Sequence, residues 1–226
     1  MDVWHIAAEW PQAEDGQRYA WVQQVRFDVS LDGEDVPALM ALYRTVIDTG
    51  GPLQRYMEEA LLTALARIGH VAAVPLFQDL LFGSLRGVSP AAEVVEALAE
   101  VAGRSGDDRA LSLLASCLEH DSVDVRDMAT TALVYAYRTA RRTLPRSLIQ
   151  RLYTLLQHDP TRRVRFSAGL ALQELGEIDP VEVIFWAEDM AGWEEDGEWA
   201  IEDEVWEGVS PPSLDDDASW MDRLSS

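Results

Sequence analysis

The sequence predicts an all-α fold, a solenoid of four to five helix pairs. An N-terminal cap at 1–35 would close it, and an acidic, Trp-rich segment would follow at 191–226. Three observations carry this expectation. Apolar residues recur at three- and four-residue spacing through the middle of the chain, as in Leu61, Leu62, Leu65 and Ile68 and again in Leu111, Leu113, Leu114 and Leu118, which lays a stripe along one helix face. Helix-boundary chemistry separates these stretches. A short motif also returns at roughly the interval of one two-helix unit.

Taken in order, residues 1–35 contain the run Tyr19–Leu31, in which Trp21, Gln23, Val25, Phe27 and Val29 alternate imperfectly, so both a helix and a short hairpin arm fit. Helix pairs follow at 36–48/52–68, 71–82/90–102, 107–119/122–139 and 145–157/161–175, with a further helix from 180. Gly50, Gly69, Gly103 and Gly176 stand where helices should end. Asp159-Pro160 and Asp179-Pro180 place a capping carboxylate ahead of a proline at the first helical position, and Glu182 completes a capping box with Asp179.

The returning motif is Ala64-Leu65, Ala97-Leu98, Ala132-Leu133 and Ala171-Leu172, at offsets of 33, 35 and 39 residues. The last two units also share His120-Asp121, Val125-Arg126, Ala129 and Ala132-Leu133 against His158-Asp159, Val164-Arg165, Ala168 and Ala171-Leu172. Alanines at these positions let a second helix approach closely, and one hairpin alone cannot bury its apolar faces, so the units must stack.

On these residues the chain resembles the HEAT-repeat superfamily over residues 36–190, in particular the short bacterial repeats related to phycobilisome lyases. The resemblance implies a right-handed α-solenoid in which Asp and Arg tie successive repeats together, and it places Asp121, Arg126, Asp159 and Arg165 in that bridging role. The architecture hosts many functions and names none.

Charge and tryptophan are both unevenly placed. The chain carries 40 acidic and 18 basic residues, net −22, yet residues 36–186 contribute only −3 against −6 from 1–35 and −13 from 187–226. Trp4, Trp10 and Trp21 lie at one end, and Trp186, Trp193, Trp199, Trp206 and Trp220 at the other. Every basic residue is Arg; Lys and Asn are absent, in keeping with a GC-rich genome. Without Lys there is no Walker-type phosphate loop and no Schiff-base lysine. Net negative charge opposes direct nucleic-acid binding. Met1–Gly16 lacks the basic and apolar regions of a secretory signal, and the longest apolar runs are too short to span a bilayer. A cytoplasmic protein with no membrane partner is expected.

Catalytic signatures are weak. His120 and His158 occupy equivalent turn positions and read as structural, and no His is followed by Glu as in the iron-binding HEAT-repeat hydroxylases. Cys117 sits in an apolar stretch and reads as a packing thiol. Neither a metal nor a cofactor is implied.

Two features stand out. The first is an Arg cluster whose members Arg138, Arg141, Arg142, Arg146, Arg162 and Arg163 suggest an anion-binding patch; with Arg151 and Arg165 it faces only Asp159 within 138–165. The second is the tail, in which Trp193, Glu194, Glu195, Asp196, Trp199, Glu202, Asp203, Glu204, Trp206, Asp215, Asp216, Asp217 and Trp220 combine rings that dock favourably with carboxylates that steer toward a basic surface. A tail that folds back on the Arg cluster would compete with an external ligand.

The function expected is non-catalytic capture of a basic partner protein, as in an acidic inhibitor of the immunity type. The alternatives are a general repeat scaffold with a self-docking tail and a HEAT-repeat enzyme resembling the bilin lyases.

Overall fold

The structure, a computed structural model, describes residues 2–85 and 91–179. Among these every regular element is helical: α1 (Val3–Glu9), α2 (Asp15–Phe27), α3 (Val36–Thr49), α4 (Gln54–Ile68), α5 (Val74–Phe82), α6 (Ala91–Ser105), α7 (Asp108–Ser116), α8 (Val123–Thr139), α9 (Arg146–His158) and α10 (Arg162–Glu174). Single 3₁₀ turns at Trp10–Gln12, Val71–Ala73 and Cys117–Glu119 extend α1, α5 and α7. The four helix pairs expected between 36 and 175 lie within a few residues of the observed ends. The helix expected from 180 lies outside the described residues.

The run Tyr19–Leu31, open to two readings from sequence, is helical as far as Phe27, where α2 ends, and Asp28–Leu31 leave the helix. Trp21, Val22 and Val25 are buried at helical spacing, while Phe27 and Val29 are exposed. Trp10 is fully buried, its ring 6.4 Å from that of Trp21, and the Arg18 guanidinium lies 5.4 Å from the Trp10 ring. Two of the three N-terminal tryptophans are therefore core, and Trp4 is exposed.

Local caps explain several starts. The Asp2 and Asp107 carboxylates accept from the backbone N–H groups of His5 and Arg109 at 3.1 and 2.8 Å. The Arg109 side chain and N–H together hold the Asp107 carboxyl below its usual range. Pro37 and Pro75 sit in the first turns of α3 and α5, where their missing N–H costs nothing.

One capping expectation needs correction. Asp159 does not cap a helix that begins at Pro160; α10 begins at Arg162 behind Thr161. Asp159 instead accepts from the Thr161 N–H at 2.8 Å and from Arg126, which holds its carboxylate away from the helix end. Gly103 likewise lies inside α6 rather than at its end. A Cβ there would stand 2.9 Å from Cβ of Thr139 and 3.5 Å from Cα of Ala136, so glycine is set by the close approach of α8. Gly69 does end α4, in the left-handed region at φ 66°.

The even-numbered helices pack in series, α2 on α4, α4 on α6, α6 on α8 and α8 on α10. The odd-numbered row begins with α1 on α3, and α5 on α7 continues it. Within hairpins, α3 packs on α4, α5 on α6, α7 on α8 and α9 on α10. One apolar core runs from Val3 to Leu172 between the rows, with buried Ala60, Ala64, Ala97, Ala129, Ala132, Ala136, Ala168 and Ala171 at the contacts of the even helices. No helix among the described residues is long and apolar enough to cross a membrane.

Candidate protein-binding groove

The tail residues singled out from sequence, from Trp193 to Trp220, lie outside the described residues. The other candidates can be placed one by one.

Arg126 on α8 sends Nε and Nη2 to the two carboxylate oxygens of Asp159 at 2.7 and 3.1 Å, a bidentate pair with side chains 12% and 3% exposed. Its Nη1 donates to the carbonyls of His120 and Asp121 at 2.8 and 2.9 Å. Arg165 repeats that second contact one unit later, its Nη1 reaching the carbonyls of Asp159 and Pro160 at 2.7 and 3.1 Å. Asp121 presents an exposed side chain at the turn before α8. His120 is buried, with Nε2 2.8 Å from the Leu81 carbonyl and Nδ1 accepting from the Ser122 N–H at 3.0 Å. It holds the turn before α8 against the end of α5. His158, its counterpart by sequence, is exposed.

The arginines of the 138–165 cluster reach carboxylates on adjacent elements. Arg138 pairs with Glu174 of α10, and Arg163 with Asp124 and, at 3.0 Å, Asp127 of α8. Arg142 pairs with Asp108 at 2.6 Å, Arg146 with Glu177 at 3.1 Å and Arg151 with Glu119 at 2.6 Å. Arg141 is exposed in the left-handed region at φ 54°, and Arg162 is half-buried at the start of α10. The sum of +7 over this segment is thus spread along pairs whose acids lie at positions a local count cannot see. Such surface pairs are each worth ~0–1 kcal/mol.

Cys117 is fully buried, and burial pushes its thiol from the ordinary value of 9.0 up to about 12, far from a reactive thiolate.

Sequence reasoning missed the acidic groove that runs over the even-numbered helices. This open depression of about 720 Å³ is lined from α4, α6, α8 and α10. Five lining residues are glutamates: Glu59, Glu93, Glu96, Glu100 and Glu174. Leu62, Ala66, Ala97, Ala99, Met128 and Ala132 supply an apolar floor, and Thr63, Thr131 and Tyr135 complete the lining. Among the described residues, no basic side chain lines it. Glu93, Glu96 and Glu100 fall at i, i+3 and i+7 on one face of α6.

Most of these carboxylates are held from outside the groove. Glu59 meets Arg26 at 3.1 Å, Glu93 meets Arg55, Glu100 meets Arg104 at 3.1 Å, and Glu174 meets Arg138. The Tyr135 hydroxyl donates to Glu100 at 2.5 Å, which holds the phenol above its usual range. Glu96 is exposed and has no ion-pair partner among the described residues. The only hint in the sequence was the i, i+3, i+7 spacing on α6, which an acidic chain hides among many such carboxylates. No three His, Cys, Asp or Glu side chains among the described residues converge as a metal site.

In comparisons with known proteins, no family model, no curated protein and no solved structure matches the chain.

Proposed function

We propose that the protein is a non-catalytic helical-repeat module of the HEAT type that captures a basic partner protein, in its most concrete form an inhibitor of the immunity kind. The observation that carries this reading is the groove lining, five glutamates over an apolar floor with no basic side chain among the described lining residues. Carboxylates around a low-dielectric concavity focus a negative field, which raises the association rate of a cationic partner, while the apolar floor contributes affinity once water leaves. The stacked-repeat reading is supported by the series packing of the even-numbered helices and by the Arg126–Asp159 tie between the last two units. The charge of residues 187–226, 14 acids against one Arg, adds long-range attraction for the same class of partner.

Hydrogen exchange tests the reading, with a short alanine-based peptide carrying three arginines as the probe. Binding should slow exchange in α4, α6 and α8, and affinity should fall steeply as salt rises. A general scaffold would instead bind with weak salt dependence through apolar contacts. If no protection develops along these helices at low salt, the proposal fails.

A further inference from the structure

The repeated Ala-Leu gives the later even-numbered helices a common register. The residue before it is Thr63 on α4, Glu96 on α6, Thr131 on α8 and Leu170 on α10, and the residue one turn earlier is Glu59, Ala92, Asp127 or Phe166. Thr63, Glu96, Thr131 and Glu59 line the groove, so these register positions face it. Of the four helices, only α10 places a large apolar side chain at both. Phe166 and Leu170 are 43% and 40% exposed, whereas Ala168 and Leu172 of the same helix are buried.

Helix geometry sets this pair against the groove. Phe166, Leu170 and Glu174 fall at i, i+4 and i+8, one stripe in which neighbours stand about 5–6 Å apart. Glu174 is itself a groove-lining residue. A single helix face therefore runs from the acidic lining onto apolar carbon. Polar groups beside the pair are already engaged. The Ser167 hydroxyl donates to Asp127 at 2.5 Å, Arg163 pairs with Asp124 and Asp127, and Arg165 donates to the carbonyls of Asp159 and Pro160.

We infer that Phe166 and Leu170 form the apolar anchor of the groove and seat an aromatic or aliphatic side chain of the basic partner. The inference rests on the function proposed above and names a second element of what that site recognises. Charge complementarity selects the occupant. Five glutamates draw a cationic segment into the groove, and the α10 stripe then meets that segment with carbon. The partner segment is thus amphipathic, basic along most of its length with one large apolar residue near an end. Its charges set the approach, and the apolar contact adds affinity that salt does not screen. Packed helices stand ~8–10 Å apart, so the groove from α4 to α10 spans roughly 25–30 Å, the length of a helix of about 18 residues.

The test uses three alanine-based peptides of about that length, each with arginines along one face. One has no aromatic residue, one has tryptophan near its N-terminus and one near its C-terminus. One of the tryptophan peptides should bind the full chain about fivefold more tightly than the plain peptide, at low and at high salt. Phe166→Ser and Leu170→Ser should each remove most of that gain and change the affinity of the plain peptide by less than about twofold. Val29→Ser, at an apolar residue 84% exposed in the loop after α2, should leave the gain intact. Both α10 variants should sediment like the parent and melt within about 4 °C of it, as expected for serine in an exposed helix position. No gain from tryptophan at either end, or a gain that survives the α10 changes, overturns the anchor while leaving the groove a basic-partner site. A larger fall in melting temperature would show that the protein's own chain covers this face, and slower sedimentation that a second copy does; either overturns the inference. Failure of all three peptides to bind overturns the proposed function, and the inference with it.

Discussion

The guanidinium of Arg126 and the carboxylate of Asp159 meet through two bonds, at 2.7 and 3.1 Å, and join α8 to the turn that precedes α10. Asp159 also fixes the Thr161 N–H at 2.8 Å, so one carboxylate both orders its own turn and ties two helix pairs together. With the two side chains 12% and 3% exposed, either one left alone would be a nearly buried charge.

Replacing Asp159 by Ala should therefore cost about 3 kcal/mol in urea unfolding, and Arg126→Ala a similar amount. The double variant should lose clearly less than the sum of the two, because the second change removes the stranded charge left by the first. Strict additivity would show that the pair is not coupled.

Gly103→Ala tests the close approach of α6 and α8. Helix propensity alone favours alanine by about 1 kcal/mol. The Thr139 Cβ at 2.9 Å from the new methyl group reverses the sign, and a loss of ~1–3 kcal/mol is expected by thermal or chemical unfolding. Adding Thr139→Ala should recover part of it.

Cys117 should resist iodoacetamide in the folded chain at pH 8 and react normally in urea. Its thiol titrates at about 12 when folded, against an ordinary value of 9.0. Folding thus retains a proton that the unfolded chain gives up. The contribution of Cys117 to stability is complete below about pH 9 and is lost as pH rises toward about 12. Cys117→Ala, measured by unfolding over that range, should show a flatter alkaline decline than the parent.

Glu96→Gln should change the stability of the free protein by no more than a few tenths of a kcal/mol, since Glu96 is exposed and its neighbours Glu93 and Glu100 are already offset by Arg55 and Arg104. Urea unfolding at low salt reads the difference. A clear loss of stability would mean that Glu96 has a structural partner.

The helix pairs from Val36 to Glu174 were legible because spacing and caps act locally: Leu61 and Leu65 share a face whatever surrounds them, and Gly69 ends α4 through its own backbone. The segment around Trp21 was not, because Trp21, Gln23, Val25, Phe27 and Val29 fit a strand pattern, and only burial of Val22 beside Trp21 and Val25 settles it as a helix. The Arg cluster shows a different limit. Its acids were sought within 138–165, while the partners Asp108, Glu119, Asp124, Asp127, Glu174 and Glu177 all lie outside. The groove stayed hidden because its glutamates come from four helices that only packing brings side by side.

The arginines at the ends of the even-numbered helices follow a common direction. Arg67 on α4 donates to the carbonyls of Arg26 and Asp28 at the end of α2, at 2.8 and 2.6 Å. Arg104 lies over Gly69, its Cβ 2.6 Å from where a glycine methyl would stand, and Arg142 donates to the Gly106 carbonyl beyond α6 at 2.9 Å. In each case the later helix finishes the earlier one. On the ribosome, the ends of α2, α4 and α6 would thus each stay uncovered until the segment that finishes them had emerged, about one helix pair later.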